Sequence, residues 1–202
     1  MDAKKLLIIS FFLFFQGTSA PKVILIFGDS LTAGYGLSPE QAYPALLDKR
    51  LTEQHRNYKV IGSGLSGETS AGGLSRIDWV LRQPVDIFVL ELGANDGLRG
   101  LPLEETQRNL QAIIDKVKIK YPLVKIVVTG MMVPPNMGPV YTEKFKKIFP
   151  DLAQKNKASL IPFLLQGVAG NEKLNQADGI HPTAEGHKIL AENVYKVIGP
   201  LL

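Results

Sequence analysis

Val23-Ile24-Leu25-Ile26-Phe27 is an unbroken apolar run stopped by Gly28, and Asp86-Ile87-Phe88-Val89-Leu90-Glu91-Leu92, with Ile87 to Leu90 unbroken, is the strongest strand. A strand with one wet face alternates apolar and polar residues. A continuous run needs cover on both faces, which is the pattern of a parallel sheet with helices on either side. The segments around these two runs agree. Residues 41–55 have a helical period, with Leu46, Leu47 and Leu51 on one side. Lys59-Val60-Ile61 is a short strand closed by Gly62-Ser63-Gly64. A helix over 70–81 carries Leu74, Ile77 and Leu81. Residues 103–120 form an amphipathic helix with Glu104 and Glu105 in its first turn, lysines in its last and Pro122 beyond it. Lys125–Thr129 is the fourth strand and Ser159–Phe163 the fifth. A helix over 139–156 is expected to kink or break at Pro150, and a terminal helix covers 183–198.

Strands alternating with helices predict one α/β domain over residues 21–202: a three-layer α/β/α sandwich around a five-stranded parallel sheet. In such sheets ligands bind beyond the carboxyl ends of the strands. The loops after Phe27, Ile61, Leu92, Thr129 and Phe163 are therefore where chemistry is sought.

The first twenty residues belong to a different pattern. Lys4 and Lys5 precede the apolar run Leu6 to Phe15, followed by Gln16-Gly17-Thr18-Ser19-Ala20. That order predicts a secretory signal peptide over 1–20, cleaved after Ala20 or after Ser19. As a helix the run spans about 15 Å, half of a roughly 30 Å hydrocarbon core, so no stable membrane anchor is expected. The expected location is exported, periplasmic or secreted. The chain contains no cysteine, which excludes a lipidated N-terminus, disulfides, thiolate metal sites and a cysteine nucleophile. Lys and Arg outnumber Asp and Glu by 23 to 19, and the lysines are scattered at helical spacing, so no nucleic-acid partner is expected.

Four strand-end segments carry polar groups suited to catalysis. Gly28-Asp29-Ser30-Leu31 puts a serine on a turn after a buried strand, where it can attack and where backbone N–H groups can meet an oxyanion. Ser66-Gly67-Glu68-Thr69 offers a glycine whose backbone N–H can approach a substrate closely. Gly93-Ala94-Asn95-Asp96-Gly97 offers a side-chain amide as a donor to developing negative charge. Asp178-Gly179-Ile180-His181-Pro182 supplies an imidazole base and, three residues before it, a carboxylate able to orient it. Taken singly, each reads first as ordinary turn chemistry. Of the other histidines, His187 falls on the face of the last helix and His55 among polar residues at a helix end, so both read as structural or solvated.

Together and in this order, Ser30, Gly67, Asn95 and His181 resemble the blocks of the SGNH, or GDSL, hydrolase superfamily, whose fold is flavodoxin-like. The stretches around them, with Pro135-Asn136-Met137-Gly138 before Tyr141 and Phe145, are most similar to its exported arylesterase, acyl-CoA thioesterase and lysophospholipase type. The resemblance implies Ser30 as nucleophile, His181 as base, Asp178 as its orienting acid, and an oxyanion hole from Ser30, Gly67 and Asn95. It implies no metal and no cofactor. The implied partner is a small-molecule ester or thioester, and a monomer is expected. The apolar loop Met131–Met137 is expected to line an acyl pocket, with Met132, Pro135 and Asn136 as substrate-binding residues. A carbohydrate deacetylase and a non-catalytic binding domain on the same scaffold are the competing readings.

Overall fold

The structure, a computed structural model, describes residues 20–202; the expected signal peptide and its cleavage point fall outside or at the edge of these. Five strands form one sheet: β1 (Lys22–Gly28), β2 (Tyr58–Gly64), β3 (Ile87–Glu91), β4 (Lys125–Thr129) and β5 (Ser159–Ile161). Their order is β2-β1-β3-β4-β5, and every pairing is parallel. Seven α-helices accompany them: α1 (Ser30–Ala33), α2 (Tyr43–Glu53), α3 (Ser70–Val80), α4 (Ala94–Leu98), α5 (Leu103–Lys120), α6 (Pro139–Asn156) and α7 (Ala184–Ile198).

The two apolar runs become the two innermost strands. Ile24 to Phe27 and Phe88 to Val89 are fully buried, because helices cover both faces. Each such side chain contributes about 1.5–3 kcal/mol of transfer free energy on folding. The chain moves one way from β1 to β2 and then reverses through β3, β4 and β5. Right-handed crossovers therefore place α2 on one face and α3, α5 and α6 on the other. The packing agrees: α2 meets α7, while α3 meets α5 and α5 meets α6. The reversal opens a crevice between the carboxyl ends of β1 and β3, the usual ligand position in such sheets.

Three segments differ from expectation. Gly62-Ser63-Gly64 does not close β2 but stays in it, paired with Ile26, Phe27 and Gly28, because β1 itself extends to Gly28 and pairing outweighs local propensity. β5 stops at Ile161 rather than Phe163, since Pro162 has no N–H to give the ladder. α6 is not broken at Pro150. Pro150 is exposed, as is Lys146, the residue whose carbonyl loses its helical partner, so water can replace the missing bond.

Candidate active site

The crevice is built from strand ends. β1 ends at Gly28, and Asp29 then caps α1 by accepting the Leu31 N–H at 3.1 Å on its side chain. The cap turns the chain so that Ser30 opens α1 at the mouth of the crevice. From the far end of the sequence, His181 brings Nε2 to 3.0 Å from Ser30 Oγ. His181 Nδ1 lies 2.6 Å from Asp178 Oδ2. The other oxygen of Asp178 accepts the backbone N–H of Ile180 and of His181, each at 2.9 Å. These bonds, the His181 backbone N–H first, hold the Asp178 carboxyl down at about 2. A carboxylate accepts only, so the imidazole proton belongs on Nδ1 and the Nε2 lone pair faces the Ser30 hydroxyl. The Tyr35 ring packs on the imidazole, 4.5 Å between centroids. A hydroxyl bonded to an imidazole that is itself held by a carboxylate can be deprotonated as it attacks carbon.

Donors for negative charge converge at the same place. Asn95 stands in the first turn of α4 and gives one amide hydrogen to Asp29 Oδ2 at 3.1 Å, which aims the amide and leaves its second hydrogen for another acceptor. Gly67 follows Ser66 in the loop after β2, with φ at +78°, a backbone shape that favours glycine. Neither the Ser30 N–H nor the Gly67 N–H meets an acceptor among the described residues, so both are available to a further oxygen.

Three strand-end loops supply these donors, and side chains to which the motifs assign no role tie the loops together. Arg76 donates to Glu68, to Ser63 and to the Gly28 carbonyl, joining the Gly67 loop to the end of β1. Asp96 accepts the Ser70 N–H at 2.8 Å and the Ser70 hydroxyl at 2.5 Å, joining α4 to the start of α3. Arg99, at the end of α4, donates to the Gly67 carbonyl at 2.8 Å. Asn95 and Gly67 are thus braced on both sides of the loop between them.

Behind Ser30 lies a layer of buried polar groups. Glu91 is fully buried at the end of β3; its Oε2 lies 3.3 Å from the Asp29 N–H and 2.6 Å from Thr32 Oγ1, which is 2.8 Å from the Tyr43 hydroxyl. Burial pushes the Asp29 carboxyl up to about 6, against the downward pull of the Leu31 and Asn95 bonds. Burial, then the charge of Asp29, pushes Glu91 well above the usual carboxylate range. The Tyr43 hydroxyl is also raised by burial. His187 sits in this layer too, accepting the Tyr43 N–H on Nδ1 at 3.1 Å; burial and then the charge of His181 lower it to about 4, so it stays neutral.

An apolar cavity of about 600 Å³ opens beside Ser30, Asn95 and His181. Met131 to Pro135 form one wall, and Leu98, Leu165 and Ile180 face it. Met132 and Pro135 are therefore at the cavity, whereas Asn136 is exposed on the turn Pro135–Met137 and is not part of the lining. Among the described residues, no group of three or more His, Asp and Glu side chains could hold a metal ion.

Motif reading found the Ser, Asn, Asp and His. It missed Glu68, Arg76, Asp96 and Arg99, whose partners lie on other loops, and Glu91, which it treated as part of a strand. One signal was available for Glu91: a carboxylate inside an apolar run is rare without a specific partner.

The likeness to known proteins covers nearly the whole chain. Residues 26–189 match the GDSL-like Lipase/Acylhydrolase family. The esterase TesA of Pseudomonas aeruginosa is 40% identical over 185 residues, 91% of this chain and 91% of that protein. Thioesterase 1/protease 1/lysophospholipase L1 of Escherichia coli K12 is 36% identical over 185 residues, 91% of this chain and 86% of its own length. The crystal structure of the psychrotrophic esterase EstA from Pseudoalteromonas sp., inhibited by monoethylphosphonate, superposes with a TM-score of 0.84 at 34% identity, covering 89% of this chain and 98% of that one. With its five-stranded parallel sheet and its strand-end motifs in order, this chain belongs to the GDSL-like Lipase/Acylhydrolase family.

Proposed function

We propose that the chain is an exported serine hydrolase that cleaves carboxylic esters and thioesters through an acyl-enzyme on Ser30. The observation that carries this is the hydrogen-bonded line from Ser30 Oγ through His181 to Asp178, at 3.0 Å and 2.6 Å. Ser30 Oγ attacks the acyl carbon while Nε2 of His181 takes its proton. Asp178, already ionised, stabilises the resulting imidazolium and keeps the ring in place. The tetrahedral oxygen receives the Ser30 N–H, the Gly67 N–H and the free amide hydrogen of Asn95. The C–O or C–S bond then breaks, and the leaving group takes the proton from Nε2. Water repeats the cycle on the acyl-enzyme, releasing the acid and restoring the serine.

Aryl esters, acyl-CoA thioesters and lysophospholipids are the substrates we assign. The names of the relatives, an esterase and a thioesterase and lysophospholipase, support ester, thioester and lysophospholipid cleavage, and the apolar cavity beside Ser30 fits an acyl chain better than a sugar. Among the described residues no helix is long and apolar enough to cross a membrane. Export rests on residues 1–20 alone.

The test is a chain-length series of nitrophenyl esters and acyl thioesters with the parent and Ser30→Ala. The substitution is expected to lower kcat by about 10⁴-fold or more. Ester hydrolysis within threefold of the parent would remove Ser30 from the mechanism. Activity confined to acetylated sugars would instead make the protein a deacetylase, and a folded parent that resists fluorophosphonate labelling would make it a binding domain.

A further inference from the structure

Glu91 takes no part in the mechanism above, yet its surroundings are built around it. Parallel pairing sets Glu91 of β3 opposite Gly28 of β1. A Cβ on Gly28 would lie 2.2 Å from Glu91 Oε2 and 2.3 Å from Thr32 Oγ1. It would also lie 2.4 Å from the Glu91 carbonyl oxygen, so the Glu91 carboxyl and backbone and the Thr32 hydroxyl together leave no room for a side chain at the first residue of the Gly-Asp-Ser-Leu motif. That carboxyl reaches past β1 to the N–H of Asp29, the residue immediately before Ser30. It also reaches Thr32 Oγ1 in the turn that follows. Both contacts fall on the backbone or side chains of the four residues that set where Ser30 points.

The charge balance of this spot is unusual. Among the described residues, no Lys, Arg or His nitrogen lies within ion-pairing distance of Glu91. Arg76, which reaches the Gly28 carbonyl, spends its other contacts on Glu68 and Ser63. The groups facing Glu91 from the neighbouring elements are Asp29 and Thr32 from the β1 end and, beyond Thr32, Tyr43 from α2. Asp29 has two donors on its oxygens, the Leu31 N–H and the Asn95 amide, and it feels the charge of His181. Glu91 has donors on Oε2 alone; Oε1 is buried and meets none. Two adjacent buried carboxyls cannot both be ionised without a large cost, and the donors decide which one carries the charge.

We propose that Glu91 is a positioning residue for the Ser30 turn, and that it works as the neutral carboxylic acid, leaving the single negative charge of the pair on Asp29. The assignment rests on Ser30 being the nucleophile. In this state Oε1 holds the proton, and Oε2 accepts the Asp29 N–H and the Thr32 hydroxyl, whose oxygen accepts the Tyr43 hydroxyl, so the 2.6 Å and 2.8 Å contacts form one directed chain. Asp29, ionised, then keeps the Asn95 amide aimed at the substrate oxygen. The direction of the Glu91 shift, upward through burial, is in accord with this.

Glutamine is the neutral mimic, with one acceptor and one donor in place of the acid. For Glu91→Gln, kcat on a nitrophenyl ester at pH 7 is expected to stay within about threefold of the parent. For Glu91→Leu, which leaves the Asp29 N–H without an acceptor, kcat is expected to fall by about tenfold or more with KM nearly unchanged. The infrared spectrum at pH 7 supplies a readout independent of turnover. The carbonyl band of a protonated carboxylic acid should be present in the parent, kept in Asp29→Asn and absent in Glu91→Gln. Absence of that band from the parent overturns the neutral-acid assignment. A Glu91→Gln loss as large as that of Glu91→Leu does the same. Unchanged kcat in Glu91→Leu, with only a lower Tm, overturns the positioning role. Should Glu91→Leu fail to fold, Thr32→Val removes the hydroxyl that donates to Oε2 instead and should lower kcat without moving KM. A parent with no ester hydrolysis at all would refute the hydrolase function while leaving the infrared result to decide the protonation state.

Discussion

Asp178 and Asp29 stand on opposite sides of Ser30 and are treated in opposite ways. Asp178 is on an exposed loop, surrounded by N–H donors, and is held down at about 2. Asp29 is buried beside a second carboxyl and is pushed up to about 6. The same side chain thus serves two purposes. One is a carboxylate beside an imidazole that, on the proposed mechanism, becomes charged during reaction. The other caps a helix turn and aims an amide. The linkage signs differ too. Asp178 stabilises the fold above the ordinary aspartate range, and that contribution is lost as pH falls toward 2. Asp29 favours the protonated fold, and its contribution is lost as pH rises through about 6.

The contrast yields ordered expectations. Asp178→Asn should have the largest effect of the three changes considered next. It replaces the acceptor on Nδ1 with a group that can favour the wrong tautomer, and kcat should fall by about 10³-fold or more with the fold intact. A fall under tenfold would reduce Asp178 to a loop anchor. Asn95→Ala removes the amide that Asp29 aims and should lower kcat by about a hundredfold, measured on the same ester; a change below threefold would take Asn95 out of the oxyanion hole. Asp29→Asn should cost least, about tenfold in kcat, because asparagine still offers one acceptor. Its informative readout is thermal: the parent should lose Tm between about pH 4 and pH 6 relative to the variant, which has no carboxyl to ionise. Equal pH slopes would mean that Asp29 is not the group being ionised there.

How much was legible in the sequence follows the same division. Asp178 was readable because its partner is three residues away, and short spacings survive in a linear pattern. Asp29 was quoted within a motif, but its link to Asn95 spans 66 positions and depends on β1 lying beside β3. Glu91 depends on the register of those two strands, which no local pattern encodes. The strands and most helices were readable because periodicity is local. The end of β2 and the course of α6 were not, because strand pairing decided the first and exposure the second. His187 was read as a helix-face residue, but its bond to the Tyr43 N–H spans 144 positions and was not legible.

The bond between Ser30 and His181 spans 151 positions. At about 5–20 residues per second, a ribosome makes the serine about 8–30 s before its imidazole. On the proposed mechanism, a growing chain therefore carries a hydroxyl without its base until residue 181 has been made. On the same mechanism, products that stop before His181 would be chemically silent, so unfinished chains would carry the nucleophile without its activity.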